Sequence, residues 1–150
     1  MSVRIVNSVE MRCTPQALYD EVTRPWRWHH WHPNSLSARA DRDTLAVGDS
    51  FDEVIAVQPL SPLPLTLRRQ TRYRVLAAEP YRLWETEGRM SDGWLRIRYE
   101  FAPSTQGTRF TRTLTFSTRG LSRLLMPLLR GRMARMSRIA LANLQRHMEG

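Results

Sequence analysis

The chain has 150 residues, 41% hydrophobic and 25% charged, the size and balance of a single globular domain over 1–150. No apolar run approaches the roughly 20 residues that span a bilayer as a helix, and Cys13 is the single cysteine, which excludes an intrachain disulfide framework. The net charge of +9 comes from arginine alone, without one lysine, and raises nucleic acid and anionic membranes as partners.

Val3, Ile5, Asn7, Val9 and Met11 alternate with more polar neighbours, which predicts a half-buried strand over Val3–Met11. This N-terminus has no apolar h-region or small-residue cleavage site, so the expected location is cytoplasmic. Thr14-Pro15 supplies an N-cap and a first-turn proline, and Ala17, Leu18, Glu21 and Val22 continue at helical spacing to about Thr23. Pro25 and Pro33 then bracket Trp26–His32, which holds three tryptophans and three histidines and has room for one more short helical turn or two.

From Ser35 to Thr118 the pattern predicts six strands: Leu36–Arg42, Ser50–Val57, Thr66–Leu76, Arg82–Gly88, Trp94–Phe101 and Arg109–Ser117. Val47-Gly48-Asp49, Ala78-Glu79-Pro80, Ser91-Asp92-Gly93 and Pro103–Gly107 are short turn segments suited to hairpins, so the sheet is an antiparallel meander. Three prolines between Pro59 and Pro64 cannot sit in a ladder and predict a rim loop.

After Gly120 the period changes to that of a helix. Leu125, Leu129, Met133, Met136, Ala140 and Leu144 fall in one stripe, with Pro127 opening the helix proper after a lead-in over Gly120–Met126. A twisted meander presents a concave apolar face, and only this helix is long and amphipathic enough to cover it. The fold class is therefore α+β: a curved antiparallel sheet of about seven strands wrapped around a long C-terminal helix, with two short helices after the first strand.

Several segments carry a family resemblance. They are Thr14-Pro15-Gln16-Ala17-Leu18-Tyr19, Trp28-His29-His30-Trp31-His32-Pro33, Val47-Gly48-Asp49-Ser50-Phe51, Tyr73-Arg74-Val75 with Glu79-Pro80, Gly107-Thr108-Arg109-Phe110, and Ala142-Asn143-Leu144 through Glu149. Together they resemble the SRPBCC superfamily of START-like and plant-allergen-like helix-grip proteins, and within it the polyketide cyclase/dehydrase-type group. None of these segments is a chemical motif, so the resemblance implies the fold and an enclosed ligand cavity more than any reaction.

Charged residues run in phase with apolar ones on the strands. Glu53 alternates with Phe51, Ile55 and Val57; Arg69 with Leu67, Thr71 and Tyr73; Arg112 with Phe110, Leu114 and Phe116. Where those faces turn inward, Glu53, Glu85, Arg69 and Arg112 must pair with one another or with a polar ligand group; a bulge or a wet cavity mouth is the competing account. Trp31, Phe51 and Tyr73 join them as candidate cavity residues from the sheet side. Leu129, Met133, Met136 and Ala140 are candidates from the helix, where methionine suits a wall that repacks around its ligand.

His29, His30 and His32 could supply a general base or metal ligands, but metal sites built from neighbouring helical residues need i, i+3 or i, i+4 spacing to converge, and no CxxC or HExxH pattern supports one here. Neither a metal nor any other cofactor is expected, and aromatic packing is the main role of the block.

Two functional readings stay open: binding of a lipid, polyketide-like aromatic or isoprenoid between sheet and helix, and a polyketide cyclase/dehydrase-type enzyme using polar cavity residues for acid/base chemistry. The expected partner is a hydrophobic small molecule, with no obligate protein partner. Residues 119–150 hold seven arginines against Glu149. These flank a stripe the sheet should bury, which argues against nucleic acid and leaves a weak contact with anionic membrane as the secondary expectation.

Overall fold

The computed structural model describes residues 2–57 and 67–149; the loop expected at Pro59–Pro64 lies outside them. β1 (Val3–Met11) is followed by α1 (Pro15–Val22) and a 3-10 helix (Pro25–His30), then by β2 (Ser35–Ala40), β3 (Ser50–Val57), β4 (Leu67–Glu79), β5 (Leu83–Met90), β6 (Gly93–Ser104) and β7 (Gly107–Thr118). α2 (Leu121–Leu124) leads into α3 (Met126–Glu149). Among the described residues these strands form one antiparallel sheet in the order β1-β7-β6-β5-β4-β3-β2.

β1 and β2 thus occupy opposite edges, and the chain between them must cross one end of the sheet. α1 and the 3-10 helix make that crossing. Thr14 caps α1, its hydroxyl oxygen accepting from the Ala17 N–H at 3.1 Å, with Pro15 pre-set for the first turn. Trp28 fixes the second element. Its indole N–H donates to the Val22 carbonyl at 2.8 Å, and its ring meets Phe51, Tyr73 and Trp84 edge-on at 5.6–6.1 Å. The Trp/His block therefore anchors the crossing to the sheet through one buried indole.

β1 and β3 match the bounds expected from alternation, β2 ends earlier, at Ala40 rather than Arg42, and β4 to β7 run longer than alternation alone predicts. A register shift between Val75 and Ala77 breaks the period, and β4 continues beyond it to Glu79. The β6–β7 hairpin closes tightly at Thr105 and Gln106, with Pro103 still in the ladder opposite Thr108. Gly107 has φ +145, and a Cβ there would lie 2.6 Å from the carbonyl oxygens of Met11 and Cys13, so only glycine lets the hairpin seat against the end of β1.

α3 starts at Met126, beside the expected Pro127. Polar contacts orient it, among them Arg112 donating to Ser137 Oγ at 2.9 Å, Gln145 to the Glu10 carbonyl at 3.1 Å, and the Arg12 N–H to Glu149 at 2.9 Å. α3 consequently runs in the same direction as β1. Its C-terminal half buries Ser137, Ala140, Leu141 and Leu144. The preceding turns, at about 1.5 Å per residue, carry half-buried Met126, Leu129, Met133 and Met136 back toward Leu114 and Phe116 of β7. Among the described residues no helix is long and apolar enough to cross a membrane.

Candidate functional site

Strand alternation sorts the side chains into two faces. The concave face carries Phe51 and Glu53 on β3, Thr71 and Tyr73 on β4, Trp84 and Thr86 on β5, Ile97 and Tyr99 on β6, and Arg112 and Leu114 on β7, all buried. Phe51 stands opposite Tyr73, and Tyr99 is flanked by Trp84 and Arg112. The rings of Phe51 and Tyr73 stack at 4.7 Å and 10°, and the Tyr73 hydroxyl donates to Glu53 Oε1 at 3.0 Å. Gly88 makes this possible. A Cβ there would lie 2.7 Å from Thr71 Cγ2 and 2.8 Å from Tyr73 Cε1, so the tyrosine ring lies over bare backbone.

The core is thus divided. At its centre sit Glu53, Tyr73, Tyr99, Arg112 and Ser137. Toward α2 the walls are apolar: Leu95 opposite Phe116, and Ile97 opposite Leu114, with half-buried Met126 and Met133 of α3 packed against the core. Burial pushes the Glu53 carboxyl up, against the hydrogen bond from Tyr73 and the charge of Arg112. Burial also raises the Tyr73 hydroxyl well above its usual value, reinforced by Glu53, and pushes Tyr99 up to about 12 against the pull of Arg112. His32 is pushed down to about 3 by burial and by the Arg112 charge. It is neutral, and its Nδ1 accepts from the Asn34 N–H at 3.2 Å, so Nε2 carries the proton.

Four buried polar atoms of the concave face have no hydrogen-bond partner among the described residues, Thr71 Oγ1, Trp84 Nε1, Thr86 Oγ1 and Arg112 Nε, and Trp31 Nε1 just after the 3-10 helix is in the same condition. Buried polar groups are ordinarily satisfied by protein, water or ligand. Such a concentration on one face is therefore a chemical feature of the site.

The residues expected from sequence divide accordingly. Phe51, Glu53, Tyr73 and Arg112 converge, and Trp31 is buried beside His32, their rings 5.9 Å apart, with its carbonyl held by Asn143. Leu129, Met133 and Met136 are half-buried, whereas Ala140 is fully enclosed in solid core. Two expectations need correction. Glu85 lies on the convex face, because Trp84, Thr86 and Gly88 are the inward set of β5; it pairs with Arg98 at 3.5 Å. Arg69 keeps the inward phase but sits at the end of the sheet, bound to Asp92 in the β5–β6 turn at 2.6 Å, away from Glu53. Tyr99, Ser137 and Gly88 were missed, and of the three histidines weighed in sequence, His32 is the one set beside this cluster. Tyr99 was legible from its alternation with Leu95, Ile97 and Phe101, and Ser137 as the polar member of the helix stripe.

The family described as polyketide cyclase / dehydrase and lipid transport matches residues 2–149, and the chain belongs to it. No curated protein matches. Among solved structures, protein CV1439 of Chromobacterium violaceum superposes with a TM-score of 0.74 at 14% identity, covering 98% of each chain. Ara h 8.0201 does so at 0.65 and 11%, covering 96% of each. StfQ, the di-domain ARO/CYC from the steffimycin biosynthetic pathway, gives 0.74 at 11%, with 99% of this chain covering 51% of that one. At these identities the likeness establishes the helix-grip fold, and it is the family match over residues 2–149 that places the chain in the SRPBCC superfamily.

Proposed function

We propose that the protein binds a small amphipathic molecule between the sheet and α3, its polar end at Arg112 and its apolar body beneath Met126–Met136. The observation that carries this is the set of buried, partnerless polar atoms around Arg112, next to an apolar half-core with half-buried methionines packed against it. Desolvated donors are costly alone and become favourable against a ligand carbonyl or carboxylate. The methionines supply a roof that adapts to ligand shape. Membership of a family that includes lipid transport supports an apolar cargo.

A dye-displacement assay tests this. Anilinonaphthalene sulfonate should bind the wild type and be displaced by a long-chain fatty acid or a polycyclic aromatic phenol. Met136→Trp fills the apolar half and should weaken dye binding at least tenfold; Arg112→Met should weaken the fatty acid more than a neutral hydrocarbon. Unchanged binding in both folded variants would overturn the reading.

A cyclase/dehydrase-type activity is the second reading. Glu53 with a raised pKa, hydrogen-bonded to Tyr73 and set within a cluster that includes neutral His32, is the arrangement that favours it. Turnover of a flexible poly-β-ketone substrate, abolished by Glu53→Gln with binding retained, would select the enzyme over the carrier.

A further inference from the structure

Outside the concave core, three elements far apart in sequence bring metal-ligating atoms together. Glu21 comes from α1, His30 from the last residue of the 3-10 helix, and His147 from the end of α3. Glu21 Oε1 lies 3.1 Å from His147 Nε2 and 3.8 Å from His30 Nδ1, and the three donor atoms all lie within 4.8 Å of one another. We propose that Glu21, His30 and His147 form a binding site for a divalent transition-metal ion of the zinc class, which clamps the C-terminus of α3 to the two short helices.

Ligand type selects the ion. Two imidazole nitrogens and one carboxylate suit zinc, nickel or copper, whereas calcium and magnesium take oxygen ligands. Zinc–ligand bonds of about 2.0–2.2 Å place tetrahedral donors roughly 3.3 Å apart. The Glu21–His147 edge is already near that spacing, and the others close by rotation of His30 and His147, whose side chains are 36% and 34% exposed. Glu21 is the fixed member, 11% exposed, with its second oxygen held by the Arg27 Nε–H at 2.9 Å. That contact orients the carboxylate, leaving Oε1 as a single donor toward the histidines, in the manner of an outer-shell partner.

The Arg27 charge opposes a cation and makes the affinity weaker than that of closed structural sites. With three protein donors, one or more coordination positions fall to water. His29 packs against His30, their ring centroids 4.2 Å apart and their planes tilted by 60°, but it is no member of the donor triangle, which makes it a useful control. This site is independent of the ligand proposed for the core.

Calorimetric titration of zinc into tag-free, chelator-stripped protein tests the site. One equivalent should bind saturably and raise the Tm. Both effects should be unchanged in His29→Ala, weakened tenfold or more in His147→Ala, and absent in His30→Ala/His147→Ala, a double change at exposed positions that leaves the core intact. Cobalt(II) should give visible absorption bands that the double variant lacks. Zinc binding of equal affinity in the double variant, or none in the wild type, would overturn the proposal. So would a double variant whose only change is a lower Tm without metal, since that is the behaviour of a hydrogen-bond clamp.

Discussion

Arg112→Met is the most informative single change, because one guanidinium supports three neighbours. It donates to Ser137 Oγ at 2.9 Å, its charge favours the ionised form of Glu53, and it disfavours protonation of His32. Loss of a hydrogen bond to a charged group costs about 1.5–3 kcal/mol, and removing one member of a buried pair about 3–5 kcal/mol. Glu53 already has a raised pKa and can take up a proton instead, at about 1.4 kcal/mol per pKa unit. Methionine also spares the cost of burying a charge. The expected net loss at pH 7 is therefore about 2–3 kcal/mol. In a Glu53→Gln background the carboxylate is gone, and the same substitution should cost only about 1 kcal/mol. Urea denaturation of the four proteins at pH 7 gives the coupling, expected at about 1–2 kcal/mol, above the roughly 0.5 kcal/mol within which independent sites add. Equal costs in the two backgrounds would refute the claim that Arg112 and Glu53 form one electrostatic unit.

Gly88→Ala should destabilise the fold by about 1–3 kcal/mol because the added Cβ meets the Tyr73 ring at 2.8 Å; a denaturation midpoint equal to wild type would disprove the close approach. His32, pushed down to about 3, stays neutral in the folded chain, while the unfolded chain takes up a proton near pH 6.5. Its contribution is thus fully present above about pH 6.5 and is lost as pH falls toward 3, by at most about 1 kcal/mol per pH unit at this half-buried position. His32→Gln should flatten that part of the acid profile, and an unaltered profile would remove His32 from the account. Glu53 acts with the opposite sign: its raised pKa makes stability fall as pH rises through it, so Glu53→Gln should remove a loss on the alkaline side of the carboxylate range. Trp28→Phe keeps the edge-on ring contacts and loses the bond to Val22, with an expected cost of about 1–3 kcal/mol; a smaller effect than Trp26→Phe, where no such bond anchors the crossing, would count against the anchoring role.

The sheet was legible because period-2 alternation and glycine- or proline-bearing turns are local, and β3 was read to the residue at both ends. The long helix was legible for the same reason, from one apolar stripe. Alternation made Glu53 and Arg112 candidates for the inside and left a bulge or a wet mouth open, and their burial in the folded chain decides for the inside. Alternation could not assign Glu85 to a face. On β5 neither Leu83-Glu85-Glu87 nor Trp84-Thr86-Gly88 is a clean apolar set, and only pairing with β4 and β6 chooses the face. Arg69 obeyed its phase, yet its partner was decided by where the β5–β6 turn ends in space. The halves of the core, the partnerless polar atoms and the Tyr73 ring over Gly88 depend on which strands become neighbours. His147 and Glu21 are 126 residues apart in the chain, and no spacing rule joins them. The sequence determined the elements and their apolar faces, because those follow from chain geometry within a few residues. Tertiary structure alone decided which polar side chains meet, because that depends on register and on the path of α3 across the sheet.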